Sequence, residues 1–254
     1  MRMPEVGLDA FLAAFRVHLR IAAITPLEMV LTLFPPLVYG IVVVAGRGGT
    51  GSSVTVGTGF AGMAVVIISQ SVLTIRQERN WLTLEQIAVS RVHTGMVLSG
   101  RLAAMTTQAV LALPVAWVTI ALLFGAPPVR APFQVLACVA VGIAGFFGIG
   151  EVIVGFLVRR RYYAGMTNAA FPLLLLLTGV FVPLSSLPAW LAMPSRLLAP
   201  TWAMEGVRRT EAGGSAWADV VIGLVIAALT IGAGILYQAR AEQSMRASPE
   251  AYLR

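Results

Sequence analysis

The sequence predicts an all-α membrane protein with six transmembrane helices, and three observations carry that prediction. Hydrophobic residues fill 58% of the 254 positions and charged residues only 11%, with a mean hydropathy of +0.85, whereas a soluble domain is about 45–50% apolar and about 25% charged. Six predominantly apolar runs approach the roughly 20 residues that a helix needs to cross a hydrocarbon core. None alternates with the period of a barrel strand, and only helices and closed barrels satisfy their backbone inside lipid.

The chain begins with an amphipathic stretch, residues 1–25. Leu8, Phe11, Leu12, Phe15 and Leu19 recur at helical spacing, while Asp9, Arg16 and Arg20 fall elsewhere on the wheel. This describes a helix lying in the membrane interface and ending at Thr25-Pro26. Glu5, Asp9 and Glu28 precede the first apolar run, so a cleaved signal peptide is not expected. The spans follow at 29–45, 58–75, 102–124, 133–158, 164–182 and 217–237, in one transmembrane domain over 1–254. Pro35-Pro36 in the first span and Pro114 in the third are expected to kink those helices.

All eighteen basic residues are arginine. Placing both termini in the cytoplasm puts most of them on that side, as the positive-inside rule requires. The outer arginines include Arg208 and Arg209, with Glu205 and Glu211 within one helical turn. The net charge of +7 is spread over several segments beside the membrane, which suits anionic lipid headgroups and not nucleic acid. The single Cys138, inside the fourth span, can form no intrachain disulfide.

A membrane enzyme would need a constellation of reactive groups, and the sequence offers none. The two histidines, His18 and His93, are far apart, the only aspartates are Asp9 and Asp219, and no Gly-x-Ser-x-Gly elbow occurs. The absence of lysine excludes a Walker phosphate loop. Glu151 is the one carboxylate deep in a span, and such a group must face protein or water. Two readings stay open for it: a substrate or gating contact, or a structural bond to a neighbour such as Arg101. Gln70, Gln108, Glu151 and Asn168 form a sparse candidate substrate path, although polar residues in spans commonly bond between helices.

Between the second and third spans, Arg76, Glu78, Arg79, Glu85 and Arg91 concentrate charge in a chain that has little. Thr83-Leu-Glu-Gln86 has the form of a capping box, flanked by Leu82 and Ile87 as a hydrophobic staple, so a short surface helix starts at Thr83. After the fifth span, Pro183, Pro188, Pro194 and Pro200 interrupt an apolar stretch. Short helices dipping into the external interface are expected there, with Pro188 in a first helical turn and Trp190 and Trp202 at headgroup level.

Glu78-Arg79 followed by Thr83-Leu84-Glu85-Gln86 resembles the cytoplasmic signature of ABC-2 type transporter permeases. Gly179, Phe181, Pro183, Leu187, Pro188, Trp190 and Leu191, then Pro200, Glu205 and Arg208, are similar to that family's second signature, around external re-entrant helices. Leu82, Trp81 and Ser90-Arg91 depart from the usual pattern. The resemblance implies a drug or lipid exporter half in a bacterial cell membrane. Two permease chains, identical or different, would form the pathway, and a separate pair of ATP-binding subunits carrying ATP and magnesium would drive it. Glu78, Arg79, Thr83, Leu84, Glu85 and Gln86 would then make the coupling contact, and no cofactor is expected on this chain. The alternative is a secondary transporter or channel working without ATP, against which stand the lack of an internal repeat and the single deep carboxylate.

Overall fold

A computed structural model describes residues 3–47, 50–80, 93–159 and 164–247. Among these the regular structure is entirely helical: α1 (Met3–Ile24), α2 (Pro26–Arg47), α3 (Ser52–Asn80), α4 (Thr94–Ala109), α5 (Ala112–Phe124), α6 (Pro132–Arg159), α7 (Ala164–Leu177), α8 (Ala189–Ser195), α9 (Ala199–Glu211) and α10 (Trp217–Ala247), with a 3-10 turn at Leu184–Ser186.

Among the described residues, four helical stretches are long and apolar enough to cross a bilayer: Ser52–Leu73, Thr94–Phe124, Pro132–Val158 and Trp217–Gln243. They contain the expected third, fourth and sixth spans and all but the last two residues of the second. The first expected span lies in α2, where the apolar stretch is the shorter Thr32–Gly46. The fifth ends early, because α7 stops at Leu177 and the chain turns at Gly179 in a left-handed conformation, φ +69°.

Prolines act differently in the first and third of the expected spans. Pro114 has no N–H for the carbonyl of Val110, whose acceptor is taken instead by Leu113 N–H at 3.0 Å, and the helix breaks between α4 and α5. Helix α2 runs unbroken through Pro35 and Pro36. Gly62 of α3 makes room for the Pro36 ring, since a side chain there would meet it at 3.0 Å. The break expected at Thr25-Pro26 is present, and Thr25 Oγ1 donates to the Ile21 carbonyl at 2.8 Å at the end of α1.

Helix α3 is the centre of the bundle. Its Phe60, Met63, Val66 and Ile67 are fully buried, and Phe60 meets Phe146 of α6 edge to face at 5.5 Å. A second, smaller apolar cluster lies apart from this core at the ends of four helices, formed by Val72 and Ile75 of α3, Leu98 of α4, Val154, Leu157 and Val158 of α6, and Ala241 of α10. The outward residues of α2, α5 and α10, among them Phe34, Val42, Leu122, Val225 and Leu229, are apolar and exposed, as a lipid-facing surface must be.

Helix α1 docks on α4. Its packed face overlaps the predicted stripe at Phe11 but is turned to one side of it: Gly7, His18 and Ala22 are buried, Phe11, Leu12, Phe15 and Leu19 are half-buried, and Leu8 is exposed. At Gly100 of α4 any side chain would collide with the Phe11 carbonyl. The packed face is thus set by where two backbones can approach, and the polar residues Asp9, Arg16 and Arg20 stay exposed as expected.

Candidate functional site

The stretch from Gly179 to Arg208 folds back on itself at one end of the bundle, the connection end. The guanidinium of Arg208 donates to the Gly179 carbonyl and, through Nη1 at 3.0 Å, to Glu205 Oε1. The same carboxylate oxygen accepts the N–H of Leu184 at 3.0 Å, and Thr201 Oγ1 donates to the Leu177 carbonyl at 3.0 Å. Arg208 and Glu205 therefore hold both sides of the turn that follows α7. Each such charge-assisted bond is worth about 1.5–3 kcal/mol when shielded from water, and both side chains are more than two-thirds covered.

The remaining residues of this stretch surround that lock. Phe181 packs its ring on Tyr39 of α2 at 5.7 Å. Pro183 precedes the 3-10 turn, and Leu187 follows it in extended backbone. Pro188 stands just before α8 and not in its first turn as expected, because its ψ of 149° is extended. Pro200 does occupy the first turn of α9 and is buried against Gly145 of α6. Trp190 is 74% exposed, whereas Trp202 is half-buried and donates Nε1–H to the Arg196 carbonyl at 2.9 Å.

Three further ties were not anticipated. Glu211 accepts the N–H of Ser53 at 3.0 Å and so caps α3, while Arg209 pairs with Asp219 of α10 at 3.3 Å and not with Glu211. Gln134 caps α10 by accepting Ala216 N–H at 2.7 Å.

Near the opposite end, which carries residues 76–92, Glu151 is wholly buried. Its Oε2 accepts the Ser99 hydroxyl of α4 at 3.0 Å and the amide of Gln238 of α10, which also donates to the Glu151 backbone carbonyl at 3.1 Å. Neutral donors thus take the place suggested for Arg101. Four residues further along α10, Glu242 accepts the Gly95 N–H at 3.4 Å and approaches His93 Nδ1 at 3.6 Å. Ser99, Gln238 and Glu242 were not singled out in the sequence, although the i, i+4 spacing of Gln238 and Glu242 on an apolar helix was a visible signal.

The candidate path residues do not share one set of contacts. Gln108 donates to Thr32 Oγ1 of α2 at 2.8 Å, so it takes a partner from a different helix than Glu151 does. Gln70 is buried in α3. Asn168 belongs to α7, but its side chain lies outside the described residues. A groove of about 380 Å³ opens between α2, α3 and α7, lined by Phe34, Tyr39, Ser69 and Phe171 among others.

Of the segment 76–91, Glu78 and Arg79 fall in the last turn of α3, and Thr83, Leu84, Glu85 and Gln86 lie outside the described residues. Among the described residues no group of three or more His, Cys, Asp or Glu is placed to hold a metal. His18, buried between α1 and α4, has its pKa lowered to about 4 by desolvation first and by the charge of Arg101 second.

No curated protein matched the chain. Residues 10–212 match the family described as ABC-2 type transporter, a range that contains α2 to α9 and both stretches singled out above. The chain therefore belongs to the ABC-2 type transporter family, as the multi-pass membrane component of such a transporter.

Proposed function

We propose that this permease is one half of an ATP-driven exporter that moves an amphipathic, drug-like or lipid-like compound out of the cytoplasm or the inner leaflet. A pair of separate ATP-binding subunits carries ATP and magnesium, and a second permease chain, the same or different, completes the pathway. Both termini and the segment 76–91 face the cytoplasm of a bacterial cell, and the stretch from Gly179 to Arg208 forms re-entrant helices at the outer surface.

The observation that carries this reading is the position of the charged segment in the fold. It joins α3, the buried centre, to α4, the helix on which α1 docks. A subunit seated on Glu78, Arg79 and the helix expected from Thr83 would act directly on the middle of the bundle. The lack of lysine agrees with ATP hydrolysis on a partner.

The test is co-purification with an ATP-binding subunit encoded alongside, followed by ATPase and transport measurements on Glu85→Ala. Weakened binding or uncoupled hydrolysis is expected. Recovery of no such subunit, or unchanged transport when Glu85 and Thr83 are both replaced, refutes the reading.

A further inference from the structure

The polar contacts that tie α4 to α6 and α10 form two rungs, one helical turn apart. On the first, Glu242 of α10 reaches the start of α4, accepting Gly95 N–H at 3.4 Å with His93 at 3.6 Å. On the second, Ser99 of α4, Glu151 of α6 and Gln238 of α10 share one carboxylate oxygen. The spacing is four residues on both helices, 95 to 99 and 242 to 238, so the rungs lie on facing stripes. His93 caps α4 without a side-chain bond of its own, and the capping acceptor comes from another helix.

Behind these rungs, α6 and α10 are locked together by glycines. A side chain at Gly234 would meet the Glu151 Cβ at 2.5 Å and its carbonyl carbon at 2.9 Å, and one at Gly155 would meet the Tyr237 ring at 2.7 Å. Such contact leaves the pair no room to slide or roll. Helix α4 starts immediately after residues 81–92. The first element to feel a displacement of that segment is thus fastened by polar bonds to a rigid pair. The second rung is buried beside the small cluster of Leu98, Val154, Leu157 and Ala241, and breaking it would strand a buried polar group at a cost of about 1–3 kcal/mol, whereas the first rung is only part-buried. Glu151 Oε1 and Gln238 Oε1 already lie buried without a partner among the described residues, so further loss is poorly tolerated.

The geometry points to Ser99, Gln238 and Glu242 as positioning residues of a transmission joint: they carry movement of α4 into the α6–α10 pair, and from there into α9, which packs on both. This rests on the reading that an ATP-binding subunit drives the segment 76–91. The joint assigns a direction to that drive, along α4 and across to α6 and α10, and it makes Glu151 the shared acceptor of a moving contact.

The test uses the full chain assembled with its ATP-binding subunit in lipid nanodiscs. Leu197, 72% exposed and just before α9, is replaced by cysteine in a Cys138→Ala background, and its labelling by an impermeant maleimide is compared with and without ATP and vanadate. The parent is expected to change its labelling rate severalfold. Ser99→Ala combined with Gln238→Leu, and separately Glu242→Ala, are expected to keep ATPase activity within about twofold while the labelling change falls close to unity. Glu242→Gln, which keeps an acceptor for Gly95, restores most of it. A parent-like labelling change in both disrupted variants overturns the joint while leaving the ATP-driven reading intact, as does a parent that hydrolyses ATP with no change at Leu197→Cys. A parent that recruits no ATP-binding subunit overturns that reading instead. Variants that merely lose yield and melting temperature while keeping the parent labelling ratio show a structural role and also overturn the joint.

Discussion

The two ends of this bundle are fastened by different means. At the connection end, charged side chains reach backbone groups: Arg208 the Gly179 carbonyl, Glu205 the Leu184 N–H, Glu211 the Ser53 N–H. At the segment end, a single buried carboxyl shared by three helices, a glutamate cap and a patch of glycine contacts hold the helices. The first arrangement fixes a turn and three helix ends in place. The second joins whole helices side by side, so a displacement at one is felt by the others. The connection end ties a turn and several helix ends to one another, and the segment end ties whole helices together along their length.

The largest effect is expected from breaking the glycine contact at the segment end. Gly234→Val inserts a branched side chain against the backbone of Glu151, and overpacking of this kind costs about 1–3 kcal/mol or more. Membrane yield and melting temperature in detergent should both fall sharply, and a variant that melts like the parent would show that α6 and α10 have slack.

Next comes the lock at the other end. Arg208→Ala removes two bonds and takes the counter-charge from the partly buried Glu205 carboxylate, for a loss of about 1–3 kcal/mol. The double variant with Glu205→Gln should recover part of it. If the single and double variants melt alike, the turn after α7 is held by packing and not by charge.

The α1–α4 contact adds a pH dependence to the segment end. Because burial holds the folded-state pKa of His18 at about 4, below its ordinary 6.5, the unfolded chain binds the proton first. The contribution of neutral His18 is complete above pH 6.5 and is lost as the pH falls towards 4, on the order of 1–3 kcal/mol. The drop in melting temperature between pH 7.5 and pH 5 should be smaller in His18→Gln than in the parent. An equal drop in both assigns the acid sensitivity to other groups.

The smallest effect belongs to the exposed half of the connection end. Arg209, about half exposed, pairs at 3.3 Å with Asp219, whose side chain is buried; water reaches and screens the guanidinium alone, so the pair is worth about 1 kcal/mol. Arg209→Ala should leave the melting temperature within a few degrees of the parent, well short of Arg208→Ala. A loss matching that of Arg208→Ala would mean that the two arginines act as one network.

How far these features could be read from the sequence follows from chain separation. Glu205 and Arg208 are three residues apart and reach back only to Gly179 and Leu184, so the lock coincides with a compact motif. The Glu151 joint draws Ser99 and Gln238 from positions 52 and 87 residues away, and nothing local couples them. The prolines show the same limit. Pro114 broke its helix as its missing N–H requires, whereas Pro35 and Pro36 did not, because the outcome at Pro36 depended on Gly62 in another helix.

Composition and the apolar runs alone determined that this chain is a helical membrane protein, since lipid leaves unpaired backbone no other solution. Turn chemistry determined the break between α1 and α2 at Thr25-Pro26. Only the tertiary structure decided which face of α1 is buried, that Glu211 serves α3 and Arg209 serves α10, and that Glu151 is held by Ser99 and Gln238. The physical reason is that sequence periodicity marks a residue as apolar or polar along its own helix, whereas its partner is set by how closely two backbones can approach, and here glycines on other helices fix that distance.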